Sequence, residues 1–383
     1  MKIRFFSVQC SVFLIGLSLC SFTSVYANNA DGFLDELDLV VEQGQVDKFE
    51  ELIHFESLVD DVLLRMKSIP YSTRKALGKG FLSNTKNAAK TLLDSFAGGD
   101  VKRLRLQTSG NISKALYRIG FGDQGYSYIE WIIKPNHNSR HLQIVDYYSY
   151  TLGKSWSDMI REFFAFSQVG SSNFEELFLV FSGQRNTINE MTKKMTDYLR
   201  TKNPEPFLTA YENASEEVRS NDFMVDFYFR VASEVADENQ YRRALEVVAK
   251  YKSDDPKYAF ILMDHYFYLE QFDKAIQALD SFEATLGIED SAIALLKGNT
   301  QSVAGSYEAA LSSYSKAKSI EPTLEDIYWG EVNIYVVKED YKSLVALFAH
   351  MESAFGYLFS REDFLSEPYY EGFVQSPEFA AWL

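Results

Sequence analysis

Cysteine is almost missing from this chain. Of 383 residues only Cys10 and Cys20 carry a thiol, and both fall in a leader that the rest of the sequence does not need. Basic charge is also short: 38 Lys and Arg face 54 Asp and Glu, a net charge of −16. That balance argues against a nucleic-acid binder or a general binder of anionic membranes. Beyond the leader no window has the length and apolarity of a membrane span. Glycine-rich phosphate loops, a Gly-x-Ser-x-Gly elbow and a Ser-x-x-Lys with supporting motifs are absent too. With 46% hydrophobic and 15% aromatic residues, the chain is nevertheless composed as a folded, globular protein.

The leader has a recognisable order. Lys2 and Arg4 are followed by an apolar stretch densest from Val12 to Leu19, and then by Val25-Tyr26-Ala27. This predicts a secretory signal peptide over 1–27, cleaved after Ala27. The apolar stretch is too short for a comfortable transmembrane helix. Leu17-Ser18-Leu19-Cys20 loosely matches a lipoprotein signal, but Leu19 stands where a small residue is wanted. The mature chain would start at Asn28, be soluble, and lack any thiol. That excludes disulfides, thiolate nucleophiles and Cys-ligated zinc. Loss of Lys2 and Arg4 makes it more acidic still.

Apolar spacing predicts short helices over 31–66 and a longer helix over 72–96, interrupted near Gly78 and Gly80. The period then changes to that of strands. Four runs, 101–107, 112–121, 126–134 and 141–150, are separated by turn residues such as Ser109-Gly110-Asn111 and Gly122-Asp123-Gln124-Gly125. Loops this tight permit only an antiparallel meander. Ser155, with Asp158 three residues on, caps a further helix whose stripe is Trp156, Met159, Ile160, Phe163 and Phe164. Helix, four strands, helix resembles the cystatin/NTF2-like class of α+β folds.

The remainder is helical with a period of about 34 residues. Its clearest unit, Ser291 to Pro322, carries Gly298, Tyr307, Ala310, Tyr314, Ala317 and Pro322. These small, aromatic and proline positions resemble a tetratricopeptide repeat (TPR). The key small or apolar position recurs at Ala244, Ala275, Ala310 and Leu344. A degenerate first unit is expected near 185–217. The end, with Phe364, Phe373, Phe379 and Trp382, reads as a cap over the last unit. The combination, with its Ser376-Pro377-Glu378-Phe379 and Trp382-Leu383 ending, is similar to a group of exported bacterial TPR proteins of uncharacterised function. That similarity implies a Gram-negative periplasmic or secreted address. The fold class expected is α+β then all-α: a helix plus four-stranded antiparallel sheet, followed by a TPR-like helical solenoid. Its divisions are a signal peptide (1–27), N-terminal helices (28–70), the α+β module (71–168), a helical connector and degenerate repeat (169–222), repeats (223–355) and a cap (356–383).

Candidate chemistry is sparse. The five histidines are His54, His137, His141, His265 and His350. His137 and His141 flank a polar turn without the Glu of a zinc-peptidase helix, so they read as solvated. No catalytic residue, metal site or cofactor is assigned. If the tight turns set the register, Phe121 pairs Tyr126 and Lys134 pairs His141. Ile129 then faces Arg118 on one side and Asp146 on the other, on a face shared with Leu116, Trp131 and Ile144. Arg118 and Asp146 would then be a pocket carboxylate with its Arg partner, or a structural ion pair.

The TPR resemblance implies a concave face made by the first helix of each unit. Phe229, Phe260, Leu295 and Trp329 would form one row on it. Asp264, Phe267, Asn299 and Asn333 lie beside them. Such a row suits an apolar peptide segment held by side-chain amides, or else it packs on the chain's own N-terminal module or cap. The reading is an exported, non-enzymatic scaffold that binds a protein or peptide through the repeats. The alternative is a small-molecule binder or enzyme using a pocket in the α+β module. A nucleic-acid partner is not expected.

Overall fold

The computed structural model describes residues 30–382, except 68, 123–124, 137–140, 168–189, 192, 196, 199–200 and 236. The expected signal peptide, His137 and residues 169–189 of the expected connector lie outside the described residues.

The helical spacing of the first residues becomes α1 (Ala30–Glu42), α2 (Val46–Leu52) and α3 (Phe55–Arg65). The single helix expected over 72–96 is in fact two, α4 (Tyr71–Leu82) and α5 (Thr85–Asp94). The break falls at Ser83-Asn84 and not at the glycines. Gly78 sits inside α4 because α3 passes close by: a Cβ there would lie 2.8 Å from Leu63 Cδ1.

The sheet has five strands and not four. β1 (Asp100–Ser109), β2 (Ile112–Gly120), β3 (Tyr126–Pro135) and β4 (Leu142–Ser149) form the expected meander, all antiparallel. β5 (Lys154–Ser155) adds an edge by pairing with Ser149 and Tyr148. Two residues are too few to show a strand period in sequence. Helix α6 (Trp156–Ser167) follows at once, and Ser155 Oγ accepts the Asp158 N–H at 3.1 Å, the expected cap.

Both faces of the sheet are covered. Ala115, Tyr117, Ile119, Ile129, Trp131, Ile133 and Ile144 pack with the apolar sides of α1 to α6. Alternate residues point the other way, and Leu116 and Tyr128 pack on residues 259–293 of the helical region. The sheet is therefore the middle of three layers. This explains why β2 is buried almost continuously from Ala115 to Ile119.

Between β2 and β3 the register differs from the expected one by a residue. Gly120 pairs Tyr126, so Arg118 pairs Tyr128, and Tyr117 takes the place opposite Ile129. A one-residue slip moves each side chain to the opposite face. Arg118 and Leu116 accordingly leave the face of Trp131 and Ile144 and join Tyr128. Between β3 and β4, Lys134 pairs Gln143 and not His141, and a shift at Ile132/Ile133 sets Asp146 opposite Ile132 and not Ile129.

After two short helices, α7 (Glu205–Glu212) and α8 (Glu216–Arg219), come four successive helix pairs. They are α9 (Asp222–Ser233) with α10 (Glu238–Lys252), and α11 (Ala259–Tyr268) with α12 (Phe272–Leu286). Then follow α13 (Ser291–Val303) with α14 (Tyr307–Ile320), and α15 (Asp326–Val337) with α16 (Tyr341–Phe355). The recurring position is fully buried in all four second helices, at Ala244, Ala275, Ala310 and Leu344. At the C-terminal end, Phe364, Phe373 and Trp382 gather on Phe348 of α16, with Trp382 stacked 5.2 Å from it.

Tyr314 shows how closely the helices approach. Its ring lies over Gly298 of α13 and Gly330 of α15; a Cβ at these positions would come within 2.3 and 2.5 Å of it. Gly298→Ala is therefore expected to cost about 1–3 kcal/mol through overpacking. Gly80→Ala, in α4 with open space around it, should be neutral or stabilise by up to about 1 kcal/mol. Urea denaturation of the two variants checks the contrast; equal effects would mean that Tyr314 yields freely.

Candidate functional site

Arg118 is 1% exposed and lies at the centre of the junction between sheet and helices. Its guanidinium reaches Asp290 Oδ2, Ser291 Oγ and Glu321 Oε2, each at 2.8 Å. Tyr128, its neighbour across β3, donates its hydroxyl to Asp290 Oδ1 at 2.6 Å. Lys102 Nζ lies 2.7 Å from Glu321 Oε1. Asp290 also caps α13 by accepting the Ala292 N–H at 3.0 Å. Two cations thus meet two carboxylates, and each buried oxygen has a donor. Burial alone would raise the Glu321 carboxyl, but Lys102, Ser291 and Arg118 outweigh it and hold it down at about 2.

Arg118 and Asp146 form no pair. Asp146 accepts the Ser157 N–H at 3.0 Å and the Ser157 hydroxyl at 2.6 Å, fastening the start of α6 to β4. Burial raises its carboxyl above the usual range against these hydrogen bonds. The proposed shared face depended on the register, and the register slipped.

The aromatic row expected to line a groove is covered by the chain itself. Phe260 packs edge-on to Tyr128 at 5.7 Å and against Phe282 at 4.6 Å. Leu295 is buried. Trp329 meets Tyr357 and Phe359 and donates its indole N–H to the Tyr357 hydroxyl at 3.2 Å. Phe267 packs on Phe272. Asp264 accepts the Tyr241 hydroxyl at 2.7 Å, and burial pushes its carboxyl up. Asn299 and Asn333 are exposed and accept from Tyr314 and Tyr369. Phe229 has a different neighbourhood, described next.

A cleft of about 360 Å³ opens where α4 to α6 and the end of the sheet meet α9 and α11. One wall is Trp156, Met159 and Ile160 of α6; the other is Phe223, Phe227 and Phe229 of α9. Lys154 of β5 reaches into it, with Nζ 2.5 Å from Asp226 Oδ2 and 2.7 Å from Glu162 Oε1. Tyr258 donates to the other oxygen of Asp226 at 2.6 Å. Burial would lower the Lys154 ammonium, but the two carboxylates outweigh it and raise it. Burial also pushes the Glu162 carboxyl up, against the pull of Lys154. Pairing with two carboxylates favours the charged ammonium, whereas an amine nucleophile is helped by a lowered pKa. Arg230 completes the lining, its guanidinium 4.6 Å from the Phe227 ring centroid.

Of these groups, the repeat resemblance singled out only Phe229, as a groove position. It missed Lys154, Glu162, Tyr258 and Arg230. Lys154 beside a strong helix cap was the one local signal. Nothing in one dimension links it to Asp226.

Among the described residues no helix is long and apolar enough to cross a membrane. Compared with known proteins, the chain matches no protein-family model, no curated protein and no solved structure.

Removing Arg118 (Arg118→Ala) would leave Asp290 and Glu321 without their buried partner and should cost about 3–5 kcal/mol. Because the Glu321 pKa is depressed on folding, its contribution is complete above about pH 4.5. It is lost as pH falls toward about 2. The gap in unfolding free energy between the native chain and Glu321→Gln should therefore narrow across that window. A gap unchanged from pH 5 to pH 2.5 would contradict the assignment.

Proposed function

We propose that the chain is an exported binding protein that holds a small, mostly apolar ligand in the cleft between its sheet and its helices. The observation that carries this reading is the cleft itself. Its size falls within the range of small-molecule sites, and its walls are aromatic and aliphatic with a few convergent polar groups. Export rests on the order of charges and apolar residues in the leader, and a periplasmic address on the family resemblance. In the same reading the sheet region is a cystatin/NTF2-like module and the helix pairs are a TPR-like solenoid. The second is supported by the buried position shared by four pairs and by the glycines under Tyr314.

A second reading, a protein-interaction scaffold, is favoured by another row. Leu269, Val303 and Val337 recur at a spacing of about 34 residues, at the ends of the first helices, and are 48%, 61% and 53% exposed. They offer a partner what the covered aromatic row does not. Loss of partner crosslinking in a Leu269→Asp/Val303→Asp/Val337→Asp variant that keeps its melting temperature would support it; unchanged crosslinking would remove it.

For the cleft, the neutral fluorophore N-phenyl-1-naphthylamine is the probe. We expect saturable binding at one site. Thr91 lies exposed at the rim, and Thr91→Trp should weaken the probe by about tenfold or more, over 1.4 kcal/mol, with little change in melting temperature. Binding that does not saturate, or that ignores the Thr91 substitution, would overturn the reading.

A further inference from the structure

We infer that the ligand of this cleft is a single-tailed amphipathic anion, its carboxylate held by Arg230 and its tail lying between α6 and α9. The inference rests on the cleft reading and concerns what the cleft selects.

Charge complementarity carries it. Among the described residues four charged side chains line the cleft: Lys154, Glu162, Asp226 and Arg230. The first three are occupied with one another. Lys154 is shared between both carboxylates, and Tyr258 takes the remaining oxygen of Asp226. Arg230 is different. Among the described residues no carboxylate lies within ion-pair distance of it; it lies over the face of Phe227, and Tyr147 and Tyr198 are near enough to feel its charge. The charge on offer is therefore a cation with a planar fork of donors.

Three ligand classes can be compared. A cationic head would meet Arg230 and find both acids taken. A neutral ligand would cover Arg230 and leave its donors unmatched, which carries a desolvation cost. A carboxylate can accept two parallel N–H bonds from the guanidinium while that group stays over Phe227. The tail then runs along Phe223 and Phe229 on one side and Trp156 and Met159 on the other. A volume near the lower end of the small-molecule range admits one chain and not two.

The test is calorimetric titration of the purified protein with three probes of equal tail: decanoate, decanol and decylammonium. We expect decanoate to bind at least about tenfold tighter than decanol, and decylammonium to be weakest. Arg230→Gln should bring decanoate down to the level of decanol, which itself should not weaken. Raising the salt should weaken decanoate alone, a readout that needs no variant. Equal affinities for the three probes, or decylammonium binding best, would overturn the anionic head. A decanoate preference that survives Arg230→Gln would do the same. In those cases N-phenyl-1-naphthylamine would still bind and the cleft reading would stand. Failure of all three probes together with the fluorophore would instead remove the cleft reading, and this inference with it.

Discussion

A guanidinium buried between a sheet and a helix pair has to be matched on every side, and Arg118 is matched by Asp290, Ser291 and Glu321. These partners lie at the start of α13 and just beyond the end of α14, far along the chain from β2. Buried ion groups contribute little net stability compared with apolar residues of the same volume. Their effect is on geometry: any other placement of the sheet on the helices would strand charges away from water. With Lys102 and Tyr128 completing the set, the second face of the sheet is committed to the helical region. Most of the remaining arrangement follows from that commitment.

One consequence is the fate of the aromatic row. Phe260 sits opposite Tyr128 because Tyr128 is pinned to Asp290. Farther along, Tyr357 and Phe359 cover Trp329. The inner apolar positions of the helix pairs thus serve the chain's own packing, and what stays exposed is the row at their ends. Another consequence is the cleft. The sheet is held on α11 to α14, and at α9 the contact is made by the Lys154–Asp226 bridge. Between that bridge and α4 to α6 the apolar surfaces stand apart. The same lysine that joins the two regions also uses up both acids of the cleft, leaving Arg230 to set its polarity.

Local signals in this sequence had local causes. The meander was readable because Ser109-Gly110-Asn111 and the turn after β2 leave room for nothing else. The start of α6 was readable because Ser155 caps it with its own side chain. Gly298, Ala310 and Tyr314 were readable as helix-packing residues, since a small residue opposite an aromatic has one use in a paired helix. By contrast, the five-strand count depended on a two-residue edge, and the expected long helix divides at Ser83-Asn84 and not at Gly78 or Gly80. Neither leaves a periodic trace.

The sequence by itself determined the order of elements, the change from strand to helix period, and the repeating buried position, because each is encoded within a few turns or a hairpin. Only the tertiary structure decided where the charges went. A single-residue slip between β2 and β3 sent Arg118 to the opposite face, toward acids some 170 to 200 residues away, and left Asp146 to hold the start of α6. Turn composition does not set that register. The choice fell to burial, because a face that must accept a guanidinium can settle only where carboxylates are waiting.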